Sequence, residues 1–132
     1  MKAITEQWLR AADDDLRVMT RIASDEYLTH MVAFHSQQCI EKSLKAVVEE
    51  YELGHVRVHN LGRLFGIVRP KVAFDVDVVL IEKLDKLYID ARYPGELGLL
   101  PNGKPTRAEA QQFYNCAKSV YEQVKRVLDP QQ

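Results

Sequence analysis

The sequence predicts an all-α protein, an antiparallel up-and-down bundle of four long helices with one short helix. All glycines, and all prolines except Pro130, fall within residues 54–70 and 94–105, which leaves four long segments without helix breakers. Apolar residues recur in these segments at spacings of three and four, as they do on one face of a helix. No hairpin dipeptide is flanked by alternating apolar residues, so no feature favours a sheet.

The first two long helices are predicted over residues 5–23 and from about 24 to 51. Thr5 is a suitable N-cap for the first, because its hydroxyl can accept a hydrogen bond from a backbone N–H of the first turn. Ser24-Asp25-Glu26 marks the start of the second helix, and Gly54 marks its C-terminal end. The predicted apolar faces are Trp8, Ala12, Leu16, Met19 and Ala23 in the first helix, and Ala33, Ile40, Leu44, Val47 and Tyr51 in the second.

A short helix and two further long helices follow. Residues 60–69 form the short helix, with Pro70 beyond its end. The third long helix covers residues 75 or 76 to about 90. The run from Val76 to Leu80 also resembles a strand, but the helical period over the whole window favours a helix. Thr106 and Glu109 form a capping box, so the last helix begins there and continues to about Leu128.

Composition is that of a single globular domain over residues 1–132. Eighteen basic residues oppose 19 acidic ones, and this balance argues against a protein that coats nucleic acid through bulk electrostatics. Cys39 and Cys116 lie in helical apolar patterns without metal-ligand spacing, so we expect reduced core thiols, no metal and no cofactor. The chain has no signal-like start and no run of about 18 uncharged apolar residues. We therefore expect a cytoplasmic protein without a membrane segment.

A polar stripe on the second helix is not required by its amphipathic pattern. His35, Gln38, Lys42 and Lys45 fall within about 80° of one another around the helix, and Glu41 lies at the edge. One interpretation is a groove lined by hydrogen-bond donors for a phosphate or a nucleobase. The other is a solvated face on which Glu41 pairs with Lys45. The groove interpretation predicts that Lys45→Glu weakens binding without a loss of stability.

A basic segment separates Glu52 from Asp75, since no acidic residue lies between them. It contains His55, Arg57, His59, Arg63, Arg69 and Lys71. These side chains either meet the phosphates of a nucleotide or RNA, or only solubilise a turn-rich surface. The ring of His59 directly precedes the short helix, where it can cap that helix or take part in proton transfer.

Arg92 and Tyr93 lie at the end of the third long helix, because Pro94 biases Tyr93 toward an extended conformation. Arg92 either complements the helix dipole or offers a planar fork for phosphate. The loop that follows carries Leu97, Leu99 and Leu100, which we expect to fold back on the bundle or to meet a second chain. No nucleophile motif and no glycine-rich phosphate loop occurs, so no enzyme mechanism is visible from the residues.

The ordered set of segments resembles the HEPN domains of prokaryotes, all-α bundles whose name refers to nucleotide binding. The resemblance spans nearly the whole chain, although Asn60 stands where the family usually has an aspartate. The segments that carry it are residues 8–16, residues 34–46 with the pattern Gln-Gln-x-x-Glu-Lys-x-x-Lys-Ala, His59-Asn60-Leu61, Ala91-Arg92-Tyr93-Pro94, and residues 106–110.

Two groups of HEPN proteins imply two different functions. One group consists of metal-independent ribonucleases, marked by an arginine followed after four to six residues by a histidine, and no histidine here follows an arginine at that spacing. The other group comprises small stand-alone proteins with an Arg-Tyr-Pro motif, which pair with a minimal nucleotidyltransferase. The resemblance therefore implies a non-catalytic homodimer that binds a nucleotide, an RNA or a partner protein in a toxin–antitoxin-like module.

Two alternatives stay open at this point. They are a ribonuclease with a reorganised site that uses His59 and Arg92, and a helical scaffold for protein interaction. The candidate nucleotide- or partner-binding residues are His35, Gln38, Glu41, Lys42, Lys45, His59, Arg92 and Tyr93.

Overall fold

A computed structural model of the chain describes residues 1–92 and 104–130, with the side chains of residues 89–92 excepted. Its five helices confirm the all-α prediction of four long helices and one short helix, and the described residues contain no strand. A 3-10 turn, Glu26–Leu28, joins the first two helices. The helices are α1 (Ala3–Ile22), α2 (Thr29–Glu50), α3 (Leu61–Val68), α4 (Val78–Arg92) and α5 (Arg107–Leu128).

Helix α2 lies at the centre of the bundle and packs against each of the other four helices. Its apolar side chains Ile40, Leu44 and Val47 are fully buried, together with Phe113 and Val120 of α5. Because α2 has neighbours on several sides, the polar residues it carries are also enclosed. The buried polar residues of α2 are Thr29, Ser36, Gln37, Glu41 and Ser43.

Helices α1 and α2 run antiparallel, as two side-chain contacts show. The hydroxyl of Thr5, near the start of α1, donates to Glu50 at the end of α2 over 2.9 Å. Met19, near the end of α1, accepts a hydrogen bond from Ser36 in the first half of α2 over 3.1 Å. These contacts fix the register in which the two helices face each other.

The start of α1 differs from the prediction that Thr5 is its N-cap. The helix begins at Ala3, and Thr5 lies inside it as a fully buried residue. The carboxylate of Glu50 accepts hydrogen bonds from both the Lys2 backbone N–H and the Thr5 hydroxyl. A tertiary partner from α2 thus takes the place of a local cap.

The start of α2 was also predicted wrongly, whereas its end lies within one residue of the predicted Tyr51. The helix begins at Thr29, because Asp25 accepts a hydrogen bond from the Tyr27 backbone and starts the 3-10 turn instead. At the other end, Glu52 has the left-handed conformation (φ 53°) that ends the helix, two residues before Gly54. The Leu53 N–H donates to the Val48 carbonyl over 2.9 Å, which is the hydrogen bond of a Schellman motif.

The remaining helices begin at short polar side chains. Asn60 caps α3 by accepting from the Arg63 backbone N–H, and Asp77 accepts from Val79 at the start of α4. The strand alternative for residues 76–80 is therefore wrong. The predicted capping box is present, since Thr106 and Glu109 each accept a hydrogen bond from the other's backbone N–H. No helix in the described part of the chain is both long and apolar enough to cross a membrane.

The capping box predicts the effect of a single substitution at the start of α5. Thr106→Ala removes the acceptor for the Glu109 backbone N–H, so we expect the free energy of unfolding to fall by about 1 kcal/mol. Thr106→Ser keeps the hydroxyl and serves as the control. Urea denaturation of the three proteins measures the difference; equal stability of the alanine and serine variants would show that the cap contributes nothing.

Candidate functional site

The first centre of the candidate site is the carboxylate of Asp15, which α1 presents to α2. Asp15 is only 5% exposed. Its Oδ2 accepts a hydrogen bond from Lys42 Nζ over 2.9 Å, and its Oδ1 lies 2.8 Å from His35 Nδ1. Two residues of the predicted polar stripe thus share one buried acid on a neighbouring helix.

The second centre is the carboxylate of Glu41, which is also 5% exposed. Its Oε2 contacts Lys45 Nζ at 3.0 Å and His59 Nδ1 at 3.1 Å. Its Oε1 accepts from the amide of Gln37 over 3.2 Å. Both carboxylate oxygens are therefore occupied, as the burial of an ionised group requires.

Gln37 links the second centre to the segment before α3. Its side chain is fully buried, and its Nε2 also donates to the backbone carbonyl of His59 over 2.9 Å. Its Oε1 accepts from Gln38 over 2.9 Å. We call the two sets of contacts together the α2 network. The set around Asp15 contains His35 and Lys42, and the set around Glu41 contains Gln37, Gln38, Lys45 and His59.

The solvated-face interpretation of the polar stripe is wrong, because the side chains of Lys45 and Glu41 are only 13% and 7% exposed, although the predicted pair between them does form. The groove interpretation stays a prediction, but two of its donors are already engaged, since the amine of Lys42 and the ring of His35 contact Asp15. The charges of the stripe are largely compensated inside the protein.

The surroundings of Lys45 overturn the expectation that its reversal tests binding alone. Its amine lies 5.4 Å from the centroid of the Trp8 ring, a cation–π distance, in addition to its contact with Glu41. Lys45→Glu would place a second carboxylate against Glu41. We therefore expect that substitution to destabilise the fold.

His59 is the member of the α2 network that is most open to solvent. Its side chain is 52% exposed, although Nδ1 faces Glu41 and the backbone carbonyl accepts from Gln37. The ring is held by one nitrogen, which leaves Nε2 to face a ligand. In the imidazolium form Nε2 donates a hydrogen bond, and in the neutral form with a proton on Nδ1 it accepts one.

Helix α3 is attached to this centre through Asp85 of α4. The two carboxylate oxygens of Asp85 accept from the backbone N–H groups of Leu61 and Gly62 over 2.8 and 3.2 Å. Burial raises the pKa of Asp85 above its ordinary value, the two backbone donors oppose this shift, and the negative charge of Glu41 adds to it. The first turn of α3 is thereby fixed next to His59.

Three residues of this arrangement were missed by the sequence analysis: Asp15, Gln37 and Asp85. Asp15 lies three residues after Ala12 and four before Met19, so it occupies the apolar face of α1. Gln37 likewise lies three residues before Ile40. A polar residue at an apolar-face position is a usable signal of a buried polar contact. Asp85 gives no comparable signal, because its backbone partners belong to a distant segment.

The basic segment is exposed. Arg57, Arg63, Arg69 and Lys71 all lie at the surface, and none of them forms an ion pair with an acidic residue among those that the structure describes. Arg57 donates from Nε to His55 over 3.0 Å, and Lys71 lies 5.7 Å from the Tyr51 ring centroid. These cations are uncompensated, in contrast to those of the α2 network.

The candidate residues Arg92 and Tyr93 lie at the edge of the described part of the chain. The side chain of Arg92, all of Tyr93 and the three leucines at 97, 99 and 100 lie outside the described residues. Tyr88, one turn before Arg92, stacks on Phe34 of α2 with ring centroids 5.7 Å apart. Phe34 precedes Glu41 by seven residues, which is about 10 Å along α2. Because Tyr88 contacts Phe34 while His59 contacts Glu41, the last turn of α4 lies away from His59.

The two cysteines are free and lie outside the α2 network. Burial raises the pKa of the Cys39 thiol strongly, and burial with the charge of Asp77 raises that of Cys116 to about 11. Thiols in this state are weak nucleophiles at neutral pH. Among the described residues, no group of three or more His, Cys, Asp or Glu side chains could hold a metal ion.

Comparisons with known proteins identify the family to which this five-helix bundle belongs. The HEPN domain model matches residues 5–127, so the chain belongs to the HEPN domain family. The crystal structure of ST0689, an archaeal HEPN homologue, matches with a TM-score of 0.68 and 27% sequence identity, over 95% of this chain and 97% of that one. No curated protein matches. The predicted resemblance is confirmed, while the pairing with a nucleotidyltransferase stays a prediction.

The burial of Glu41 predicts a stability difference between two variants. Glu41→Gln leaves the largely buried amine of Lys45 without a counter-charge, so we expect the free energy of unfolding to fall by roughly 2–3 kcal/mol. Combining Glu41→Gln with Lys45→Met removes both charges and should restore most of that loss, because the methionine can still pack on Trp8. Exposed Glu82→Gln on α4 is the control.

Urea denaturation of the four proteins checks this prediction. A Glu41→Gln variant as stable as Glu82→Gln, or a double variant less stable than the single one, would contradict the role given to the pair.

Proposed function

We propose that this HEPN protein is a non-catalytic binding protein that recognises the phosphate groups of a nucleotide or an RNA. The proposed site is the surface formed by His59 and the basic segment. One observation carries the proposal: two exposed arginines without an acidic partner, Arg57 and Arg63, lie two residues before and four residues after His59, a half-exposed imidazole whose Nδ1 contacts Glu41. Phosphate binding needs cations that are free to face the ligand.

The cations of the polar stripe fit this role less well. Lys42 and Lys45 already contact Asp15 and Glu41, and both side chains are largely buried. A phosphate that drew either amine away would leave a buried carboxylate without a partner, which is strongly unfavourable. We therefore place the ligand on the surface formed by His59 and the basic segment, at the edge of the α2 network, and not along the polar stripe.

The segment around His59 is also held by more contacts than an ordinary turn. His59 is held through its ring by Glu41 and through its carbonyl by Gln37. Arg63 lies in the first turn of α3, where Asn60 accepts its backbone N–H. Side chains that are positioned before binding lose less entropy when a ligand arrives.

The non-catalytic assignment rests on the chemistry that ribonuclease action requires. Metal-independent cleavage of RNA needs an imidazole against the scissile phosphate and a cation that holds the developing charge. The arginine-to-histidine spacing of the nuclease group is absent, and His35, the other histidine of the α2 network, contacts Asp15 at the first centre. The non-catalytic assignment therefore depends on the absent spacing, because His59 and the arginines of the basic segment would by themselves supply an imidazole and cations.

The partner in this proposal is a minimal nucleotidyltransferase, with this chain as a homodimer in a toxin–antitoxin-like pair. The support is the resemblance to small stand-alone HEPN proteins through the Arg92-Tyr93-Pro94 motif. A protein that holds a nucleotide by its phosphates is suited to present it to such an enzyme.

The phosphate site predicts the effect of removing its two nearest arginines. Arg57→Ala/Arg63→Ala should lower the affinity for ATP and for a short fluorescein-labelled single-stranded RNA by about tenfold at low salt. The dependence of log affinity on log salt should become shallower by about 0.7 for each RNA phosphate that the variant no longer neutralises. Arg126→Ala, an exposed arginine on α5, is the matched control.

Fluorescence anisotropy and calorimetry give both affinities, and the ATP and RNA arms separate the two sources of phosphate. If the double variant and the control bind both probes as the wild type does, the proposed site is wrong. If the wild type cleaves the RNA and His59→Ala does not, the ribonuclease alternative replaces the non-catalytic one.

The partner is tested by co-expression with a minimal nucleotidyltransferase from the same genome. We expect the two chains to elute together in size-exclusion chromatography and this chain alone to have the mass of a dimer by light scattering. Separate elution at micromolar concentrations would contradict the pairing, and a monomeric mass would contradict the homodimer, without bearing on the phosphate site.

A further inference from the structure

A cavity of about 190 Å³ lies between α3, α4 and the segment of residues 71–77 that joins them. Its walls are Gly62, Phe65, Arg69, Val72, Phe74, Val76, Val78 and Ile81. The cavity opens to solvent at its mouth, since Arg69 is exposed and Val78 is 63% exposed. None of these residues belongs to the α2 network, and the proposed function makes no use of the cavity.

The joining segment builds one wall of the cavity by alternating its side chains. Val72, Phe74 and Val76 line the cavity, and Val78 continues the series at the start of α4. The residues between them are exposed; they are Lys71, Ala73, Asp75 and Asp77. A period of two is that of an extended chain, whose successive side chains point to opposite sides. The two acidic residues of the segment therefore point away from the cavity, and they border a separate depression next to α5.

The inner surface of the cavity is apolar. Phe65, Val72 and Ile81 are buried, and the ring of Phe74 meets that of Phe65 edge to face with centroids 5.1 Å apart. An apolar cavity of roughly 150 Å³ accommodates one benzene molecule. The space between these side chains therefore accommodates an aliphatic chain of about six carbon atoms.

Arg69 gives the mouth of the cavity its charge. It is the one ionisable residue among the described residues that line the cavity. Its backbone is helical, and it follows Gly62 by seven residues and Phe65 by four, so it lies on the same face of α3 as these two wall residues. A helical side chain leans over the turn that precedes its own Cα. The guanidinium is thereby directed along the cavity side of α3.

The surface in front of the Arg69 side chain is open. Gly66, three residues earlier, has no side chain, and no atom lies within 4 Å of the place where its Cβ would stand. Arg69 forms no ion pair with an acidic residue in the described part of the chain. A guanidinium in this state can hold a carboxylate through two parallel hydrogen bonds. One free cation beside an apolar cavity therefore selects a ligand with one negative charge and an apolar tail.

We propose that the cavity binds a small aliphatic monocarboxylate. The carboxylate pairs with Arg69 at the mouth, and a tail of about six carbon atoms packs on Phe65, Phe74 and Ile81. Although Arg69 belongs to the basic segment, it follows Arg63 by six residues, about 9 Å along α3, at the end of the helix away from His59. The site does not depend on the phosphate-binding function.

Titration of the ¹⁵N-labelled full chain tests the site, with hexanoate, hexanol, acetate and inorganic phosphate as probes at constant ionic strength. We expect millimolar hexanoate to shift the backbone amide resonances of Phe65, Val76 and Ile81. Hexanol lacks the charge and acetate lacks the tail, so each should bind at least about tenfold more weakly. Phosphate should leave these three amides unshifted.

Two variants separate the charge from the apolar space. Arg69→Gln should weaken hexanoate by about tenfold and leave hexanol unchanged, whereas Lys71→Gln, which removes an exposed cation that does not line the cavity, should bind hexanoate normally. Val76→Phe fills the cavity and should abolish binding of both probes; an unchanged circular dichroism spectrum shows that it folds. Arg57→Ala/Arg63→Ala should bind hexanoate normally, whether or not the phosphate site is correct.

The proposal is overturned if hexanoate does not shift the three amides, or if hexanol, acetate or phosphate binds there as tightly as hexanoate does. It is also overturned if Arg69→Gln, or a folded Val76→Phe variant, binds hexanoate as the wild type does.

Discussion

Two carboxylates that are buried against the central helix, those of Asp15 and Glu41, constrain the rest of this structure. Each must have cationic or hydrogen-bonding partners, because an unpaired charge in a protein interior is strongly unfavourable. Asp15 obtains them from Lys42 and His35, which sets how α1 faces α2. Glu41 obtains them from Lys45, Gln37 and His59, and the last of these brings the segment before α3 against α2. The polar stripe therefore has a structural role, because its contacts fix how α1 and the segment before α3 pack against α2.

This constraint divides the cations of the molecule into two groups. Those on α2 are compensated by buried acids, whereas Arg57, Arg63, Arg69 and Lys71 are exposed and have no acidic partner in the described part of the chain. His59 lies between the two groups of cations, because Nδ1 of its ring contacts Glu41 while the rest of the side chain is half exposed to solvent. Membership of the HEPN domain family is compatible with a nucleotide or RNA ligand. In the proposed function, such a ligand contacts the exposed cations and not the α2 network.

The contacts around Glu41 also extend to helices α3 and α4. Gln37 donates to the His59 backbone carbonyl, and Asp85 of α4 accepts from the Leu61 backbone N–H. The segment that carries His59 is therefore held in place from both α2 and α4.

The sequence by itself determined the helices, because periodicity and capping are local: Leu61, Leu64, Phe65 and Val68 share a face wherever α3 packs, and Thr106 and Glu109 cap α5 without outside help. It also determined the family, since the ordered motifs are linear. The tertiary structure alone decided where α1 begins and which charges are free, whereas local hydrogen bonds set both ends of α2. Glu50 satisfies Lys2 and Thr5 from 45 or more residues away, and Asp85 does the same for α3. Spacing on one helix shows that Glu41 and Lys45 can pair; only packing shows that they are buried, because burial depends on neighbours distant in sequence.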